Sequence, residues 1–208
     1  KGIYIHKRPM NTVRLIDMFE KIEVLGFLTG KHSKNNTLSR FRVGGTDLGM
    51  PLYNSVTNEM FLAFGDTFSD PFGEDKPNLN FKRRWRSNAL AKIRLQKSYE
   101  DGIEIIDFLK NEKTNIAKPI IQGHHTKDEE NIEVTKIPTG LIEVNGIIYM
   151  FYFSIRRWKP FAIMNYGGCI KSIDNAKTWS RVYDMTWVDE TTKDFFEKEA
   201  TLEITNNI

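Results

Sequence analysis

Apolar residues fall in short runs along this chain, broken by polar or glycine-containing stretches, a pattern of strands and turns from Phe41 onward. "MPLY" and "EMFLAFG" are two such runs, with the turn-like "NSVTN" between them. "NALAKIRLQ" alternates apolar and polar from Leu90 to Leu95 and predicts a half-exposed strand, and "GIEIIDFL" predicts the next. "IPTGLIEVNGIIYMFYFSI" is the clearest hairpin, because Asn145-Gly146 is a strong two-residue turn signal flanked by β-rich runs. In its second strand Tyr149, Phe151 and Phe153 share one face, and Met150 and Tyr152 the other. Both faces are apolar, as expected of a strand packed between layers. "GGCIKSIDNAKTWSRVY" predicts a further hairpin. Residues 1–35 form a separate segment, with "TVRLIDMFEKIEVLGFLTG" as a short helix running into a strand and "KHSKNNTLSR" as a polar loop. Residues 36–208 form the β domain, with "DFFEKEATLEI" near its end as a helix.

Hairpins recur at intervals of roughly 40 to 50 residues. "GTDLGMPLYN…EMFLAFGDTF" and "IPTGLIEVNGIIYMFYFSI" share one order: a Gly/Pro/Thr opening, an apolar strand, a turn, then an aromatic strand. A repeated antiparallel unit of this length predicts an all-β fold, a β-propeller with blades of about four strands. A plain β-sandwich is the rival.

Composition trims the possibilities. The chain has 208 residues, 40% hydrophobic and 27% charged, as in ordinary globular proteins. Its net charge of +3, from 30 basic and 27 acidic residues, is too balanced to propose nucleic acid as a partner. The single cysteine, Cys169, excludes an intrachain disulfide and a cysteine zinc site, and reads as a small buried residue. No apolar run approaches the ~20 residues of a membrane span. The start of the chain has no apolar signal core. No calcium-loop spacing is present, and no metal or cofactor is expected.

Candidate chemistry centres on "GGTDLGMPLYNSVTNEMFLAFGDTF", residues 44–68. If its two runs pair antiparallel, Leu52 opposes Phe61 and Asp47 opposes Asp66. Both aspartates then leave the sheet at one edge, where like charges repel and one carboxyl is driven up in pKa. A glycosidase needs such a pair, one acid and one base or nucleophile. Turn-forming aspartates beside glycines are the plain alternative. In "KRRWRSN", Trp85 is a candidate stacking platform among basic residues that suit sugar hydroxyls or a nucleic-acid backbone. His124 and His125 read as an exposed polar loop. Glu143 lies at the wrong end of its hairpin for a third carboxylate. Thr139 and Arg156 flank the favourable end and are candidate substrate contacts.

In order, "GTDLG", "FGDTF", "RSN", "IPTGLIEVNGIIYMFYFS" and "SIDNAKTW" resemble a bacterial family, domain of unknown function family 4185, associated with the endo-D-arabinanases of glycoside hydrolase family 183. The resemblance runs from Val43 to Trp179. It implies a five-bladed propeller that hydrolyses furanoside polysaccharide, notably D-arabinan. It implies Asp47 and Asp66 as the catalytic aspartates and Arg86 and Asn88 as sugar contacts. The expected partner is a polysaccharide, and the expected place of action is secreted or at the bacterial cell surface. "SIDNAKTW" also resembles the Asp-box of sialidase-like propellers at Ser172, Asp174, Thr178 and Trp179, with Ala176 in place of the usual glycine. That device is structural: the Asp bonds its own turn and the Trp packs inward. About three blades are recognisable in 208 residues, so the propeller is expected to be incomplete here. A non-catalytic carbohydrate-binding or scaffold propeller is the alternative function.

Overall fold

The computed structural model describes residues 24–69, 85–96, 98–125 and 133–188. The helices expected before residue 24 and after residue 188 lie outside them. Among the described residues the fold is all-β, with one short α-helix, α1 (Thr37–Phe41), and 3-10 turns at Tyr99–Asp101 and Tyr183–Met185. No helix there is long and apolar enough to cross a membrane.

The strands are β1 (Gly45–Thr46), β2 (Met50–Asn54), β3 (Glu59–Phe64), β4 (Thr67–Phe68), β5 (Trp85–Arg86), β6 (Ala89–Leu95), β7 (Ile103–Phe108), β8 (Thr135–Val144), β9 (Ile147–Arg157), β10 (Ile163–Ser172), β11 (Ser180–Arg181) and β12 (Trp187–Val188). One sheet is the antiparallel meander β2-β3-β6-β7. A second is β8-β9-β10-β11, with β12 also on β10. A small sheet, β1-β4-β5, continues three strands of the first beyond a break.

The hairpins follow from their turns. Asn145 and Gly146 stand at φ 52° and 82°, the left-handed pair that a type I′ turn needs. Glu143 accepts the Gly146 N–H, and also the Ser55 hydroxyl at 2.9 Å, so it closes its own turn and ties it to the β2–β3 turn. Leu52 faces Phe61, as the alternating pattern predicts.

Both faces of β3 are buried. Leu62 and Phe64 pack with Phe41, Ala91, Ile105 and Phe108 on one side. Phe61 and Ala63 pack with Leu52, Leu90, Ile148 of β9 and Ala176 on the other, and this cluster joins the two large sheets. Polar contacts reinforce the junction: Asn54 Nδ2 donates to Asn175 Oδ1 at 3.0 Å, and Asn175 donates to Glu59, the partner of Lys92. In β9, Met150 and Tyr152 are fully buried, whereas Phe153 is 37% exposed. Only one face of that strand is sealed.

The outer strand β7 would present an unpaired edge. Asn35 covers part of it, donating to Ile103 O at 3.1 Å and accepting from Ile105 N at 2.8 Å. Arg40 donates to Ile105 O and Ile106 O at 3.1 and 2.7 Å. "KHSKNNTLSR", expected as a loop, instead ends in the first four residues of α1. The helical turn forms because Thr37 is fully buried and its hydroxyl bonds Val43 O at 2.9 Å, an anchor no local pattern reveals.

Between β10 and β11 the chain turns through Asn175 and Ala176 at φ 59° and 67°. Asp174 accepts from Ser172 Oγ (2.8 Å), Thr178 N (2.9 Å) and Thr178 Oγ1 (2.6 Å), and Trp179 Nε1 donates to Ala176 O at 3.2 Å. Desolvation works to raise the Asp174 carboxyl, but the hydrogen bonds from Thr178, Ser172 and the Lys177 amide together hold it down to about 2. A depressed folded-state pKa contributes stability above the unfolded value of 3.8 and loses it as pH falls toward 2. Asp174→Asn is therefore expected to be less stable than wild type at neutral pH, with the difference shrinking as the pH drops through 3.8 to about 2, as read by thermal melts across that range.

Candidate active site

Three neighbouring strands are interrupted at one level. Thr46 faces Thr67 on one side of the interruption and Met50 faces Ala63 on the other, so three residues of each strand lie between. The next pair keeps register too: Thr67 faces Arg86 and Phe64 faces Ala89. Asp47, Asp66 and Ser87 all stand at this break. The expected opposition of the two aspartates holds, since the Asp47 N–H donates to Asp66 O at 3.2 Å. The sheet does not end there, however; it resumes as β1-β4-β5. The break is skewed, because Gly65 N–H, not that of Asp66, reaches Asp47 O, at 3.0 Å. Two features permit this. Leu48 adopts φ 57°, a conformation that costs an ordinary residue about 1–2 kcal/mol. Gly65 has no Cβ, and a Cβ there would collide with Asp47 Oδ1.

The carboxylates sit in different surroundings. Asp66 is 9% exposed, whereas Asp47 is open to solvent. Burial pushes the Asp66 carboxyl up to about 6, opposed by hydrogen bonds from Thr135 and Trp85 and aided by the Asp47 charge. Those bonds both end on Oδ1: Thr135 Oγ1 donates at 2.6 Å and Trp85 Nε1 at 2.8 Å. Oδ2 takes no hydrogen bond from a described residue. Water withdrawn by the surrounding protein raises the Asp47 carboxyl as well, against backbone hydrogen bonds at Asp66 and Asp47 that lower it. One group near neutrality and one exposed carboxylate can give and take a proton across the break.

A buried polar layer supports Asp66. Trp85 stacks on His125 with centroids 3.8 Å apart and planes 13° from parallel, and lies near-parallel to Phe68 at 6.0 Å. His125 Nε2 is 3.0 Å from Ser87 Oγ, which accepts Gly123 N–H at 2.9 Å. Gly123 is confined: a Cβ there would fall 2.9 Å from the Thr135 Cα. Asn88 is fully buried, donating to Ile121 O and Lys136 O and accepting from Ile120 N and Ile121 N. It locks the 120–125 segment to β8.

These placements revise several expectations. Trp85, half-buried, donates to Asp66 and lies against the rings of His125 and Phe68. Arg86, 8% exposed, donates to Arg42 O, Ala117 O and Ser69 Oγ, and burial lowers its pKa to about 10. Arg86 and Asn88 thus serve the frame. His125 is 7% exposed, not in an exposed loop. Thr139 lies out in solvent at the β8 bulge between Pro138 and Gly140, because β8 begins four residues earlier, at Thr135. Arg156 follows Ile155, the partner of Thr135, and so lies at the end of β9 nearest the break. Ser172, Asp174, Thr178 and Trp179 form the turn described above, away from the break.

Thr135 is the site residue that pattern reading misses, along with the buried pair behind it. Glu133 and Lys136, 0% and 3% exposed, lie 3.5 Å apart, and Glu133 accepts from His124 N (2.9 Å) and Ser154 Oγ (2.5 Å). A buried charge pair flanking Thr135 in sequence fixes the start of β8. Only the spacing Glu-Val-Thr-Lys hints at it. Among the described residues no cluster of His, Cys, Asp and Glu could hold a metal ion.

The raised Asp66 pKa has a stability consequence. A carboxyl whose folded pKa exceeds its unfolded 3.8 destabilises the fold as pH rises between 3.8 and about 6. At pH 7, Asp66→Asn is expected to be more stable than wild type, by up to about 3 kcal/mol at ~1.4 kcal/mol per pKa unit. Carboxyl-carbon NMR should place the wild-type Asp66 midpoint near 6, higher in Trp85→Phe, which loses a bond to the anion, and lower in Asp47→Asn, which loses the like charge.

No curated protein matches the chain. A solved structure of a candidate hydrolase from Bacteroides ovatus ATCC 8483 aligns over 69% of this chain and 39% of that one, with 11% identity and a TM-score of 0.41. The chain therefore spans about two fifths of that protein. The family model for the domain of unknown function DUF4185 matches residues 32–207. That match covers most of the chain, which belongs to the DUF4185 family.

Proposed function

We propose that the chain is a glycoside hydrolase of propeller architecture, acting on a furanoside polysaccharide of the D-arabinan class. The observation that carries this reading is the pair of aspartates facing each other across the sheet break, one buried with its pKa near 6 and one exposed. Asp66 is the proton donor to the leaving oxygen. Its Oδ1 is fixed by Trp85 and Thr135, and Oδ2 is left for substrate. Asp47, exposed and opposite, is the base or nucleophile. Arg156, half-buried and without a hydrogen bond to any described residue, is a substrate contact near the same end. Two successive antiparallel meanders of four strands, each in chain order, support propeller blades. The turn at Asp174 supports an Asp-box between β10 and β11. The reaction uses no cofactor, and a polysaccharide substrate places the protein outside the cell.

Release of reducing sugar from mycobacterial arabinogalactan tests this directly. Wild type is expected to be active, with Asp47→Asn and Asp66→Asn each at least about a hundredfold slower, the scale of general acid–base catalysis. The rate should fall as pH rises past about 6, when Asp66 loses its proton. Equal activity in all three proteins overturns the assignment of the site. A folded but inactive wild type that still binds the polysaccharide points to a carbohydrate-binding module instead.

A further inference from the structure

His125 takes no part in the two-carboxylate chemistry, yet it is built into the site with care. It is 7% exposed and stands at φ 52°, an uncommon conformation for a residue with a side chain. Its ring is fixed at the edge by Ser87 Oγ, 3.0 Å from Nε2, and by the Gln122 side-chain amide, 3.3 Å from Nδ1. Ser87 is itself fully buried and bonded to Gly123 N–H, so the imidazole is fastened to the sheet break on one side and to the 122–125 segment on the other. Its face lies on Trp85 at 3.8 Å and 13°.

The indole has two free torsions, and its N–H is useful to Asp66 only in one plane. Hydrogen bonds weaken steeply when the donor angle opens. At 2.8 Å the Trp85 N–H is well placed on Asp66 Oδ1. The charged and titratable groups around this assembly are Asp66 and Asp47 at the break, His125 itself, and the Glu133–Lys136 pair behind Thr135. Asp66 fixes one point of the indole through its hydrogen bond, and the His125 ring stacked on its face fixes the plane.

We infer that His125 is a positioning residue: stacked on Trp85, it holds the indole N–H on Asp66 Oδ1, so that Oδ2 faces the substrate. The value of this device to catalysis rests on the reading of Asp66 as a proton donor, but the geometry itself is testable without activity.

The probe is the Trp85 indole N–H resonance in nitrogen-15-labelled protein, assigned by its loss in Trp85→Phe. In wild type it is expected to shift with pH as Asp66 titrates, and the pH response should vanish in Asp66→Asn. His125→Phe keeps a planar ring and is expected to retain the response. His125→Ala and His125→Gln remove the ring, the latter keeping a polar partner for Ser87, and both should lose at least four fifths of it. Activity on arabinogalactan should follow the same order, with kcat reduced at least tenfold in the Ala and Gln variants, KM little changed, and recovery in the Phe variant. Should the indole of either folded ring-less variant still track Asp66 as in wild type, the positioning role is overturned, whatever the activity. If the resonance behaves as expected and wild type cleaves no arabinan, the positioning stands and the hydrolase reading falls.

Discussion

One carboxylate oxygen ties the molecule together. Asp66 Oδ1 accepts the Trp85 indole from β5 and the Thr135 hydroxyl from β8, so the small sheet and the second large sheet meet on a single atom. A buried carboxylate is costly unless it is hydrogen-bonded, and bonds to a charged group are worth about 1.5–3 kcal/mol each. Here desolvation outweighs them, and the group sits near pKa 6. The surroundings are thus balanced: strong enough to orient the side chain, too dry to keep it charged in mild acid. A fold built only for stability would place an apolar residue at this position.

The same economy appears in the backbone. A continuous ladder would carry its regular hydrogen bonds straight through residues 47–49 and 64–66. Instead three strands break at one level and resume in register, with Leu48 held left-handed and Gly65 kept bare so that the Asp47 carboxyl can occupy the space. Backbone strain of this kind persists where the surrounding structure over-determines it and tends to mark functional sites. Two large core clusters on the two faces of β3 supply that over-determination.

What was legible in the sequence is what period and turn chemistry control. The opposition of Leu52 with Phe61 follows from alternation and turn length, and it carries Asp47 opposite Asp66. Asn145-Gly146 names its own turn. The rest depended on contacts distant in the chain. Thr135 sits just beyond a polar stretch, so the start of β8 is placed late by pattern and Thr139 is chosen in its stead. His125 looks solvated in "GHHTKDEE", yet Ser87 and Trp85, about forty residues earlier, lie against its ring. Trp85, Arg86 and Asn88 are residue types that suit sugar binding and internal bracing equally. Arg86 and Asn88 are buried and bonded within the frame, and that burial is not written in local sequence.

The central claim is that the sheet break holds a proton donor and its partner around one glycosidic bond. Its most direct test is a crystal structure of Asp66→Asn with a D-arabinan oligosaccharide bound. The account predicts a glycosidic oxygen within hydrogen-bond distance of the residue-66 side chain, with the anomeric carbon turned toward Asp47. An oligosaccharide bound elsewhere, with the break closed to it, would contradict the account.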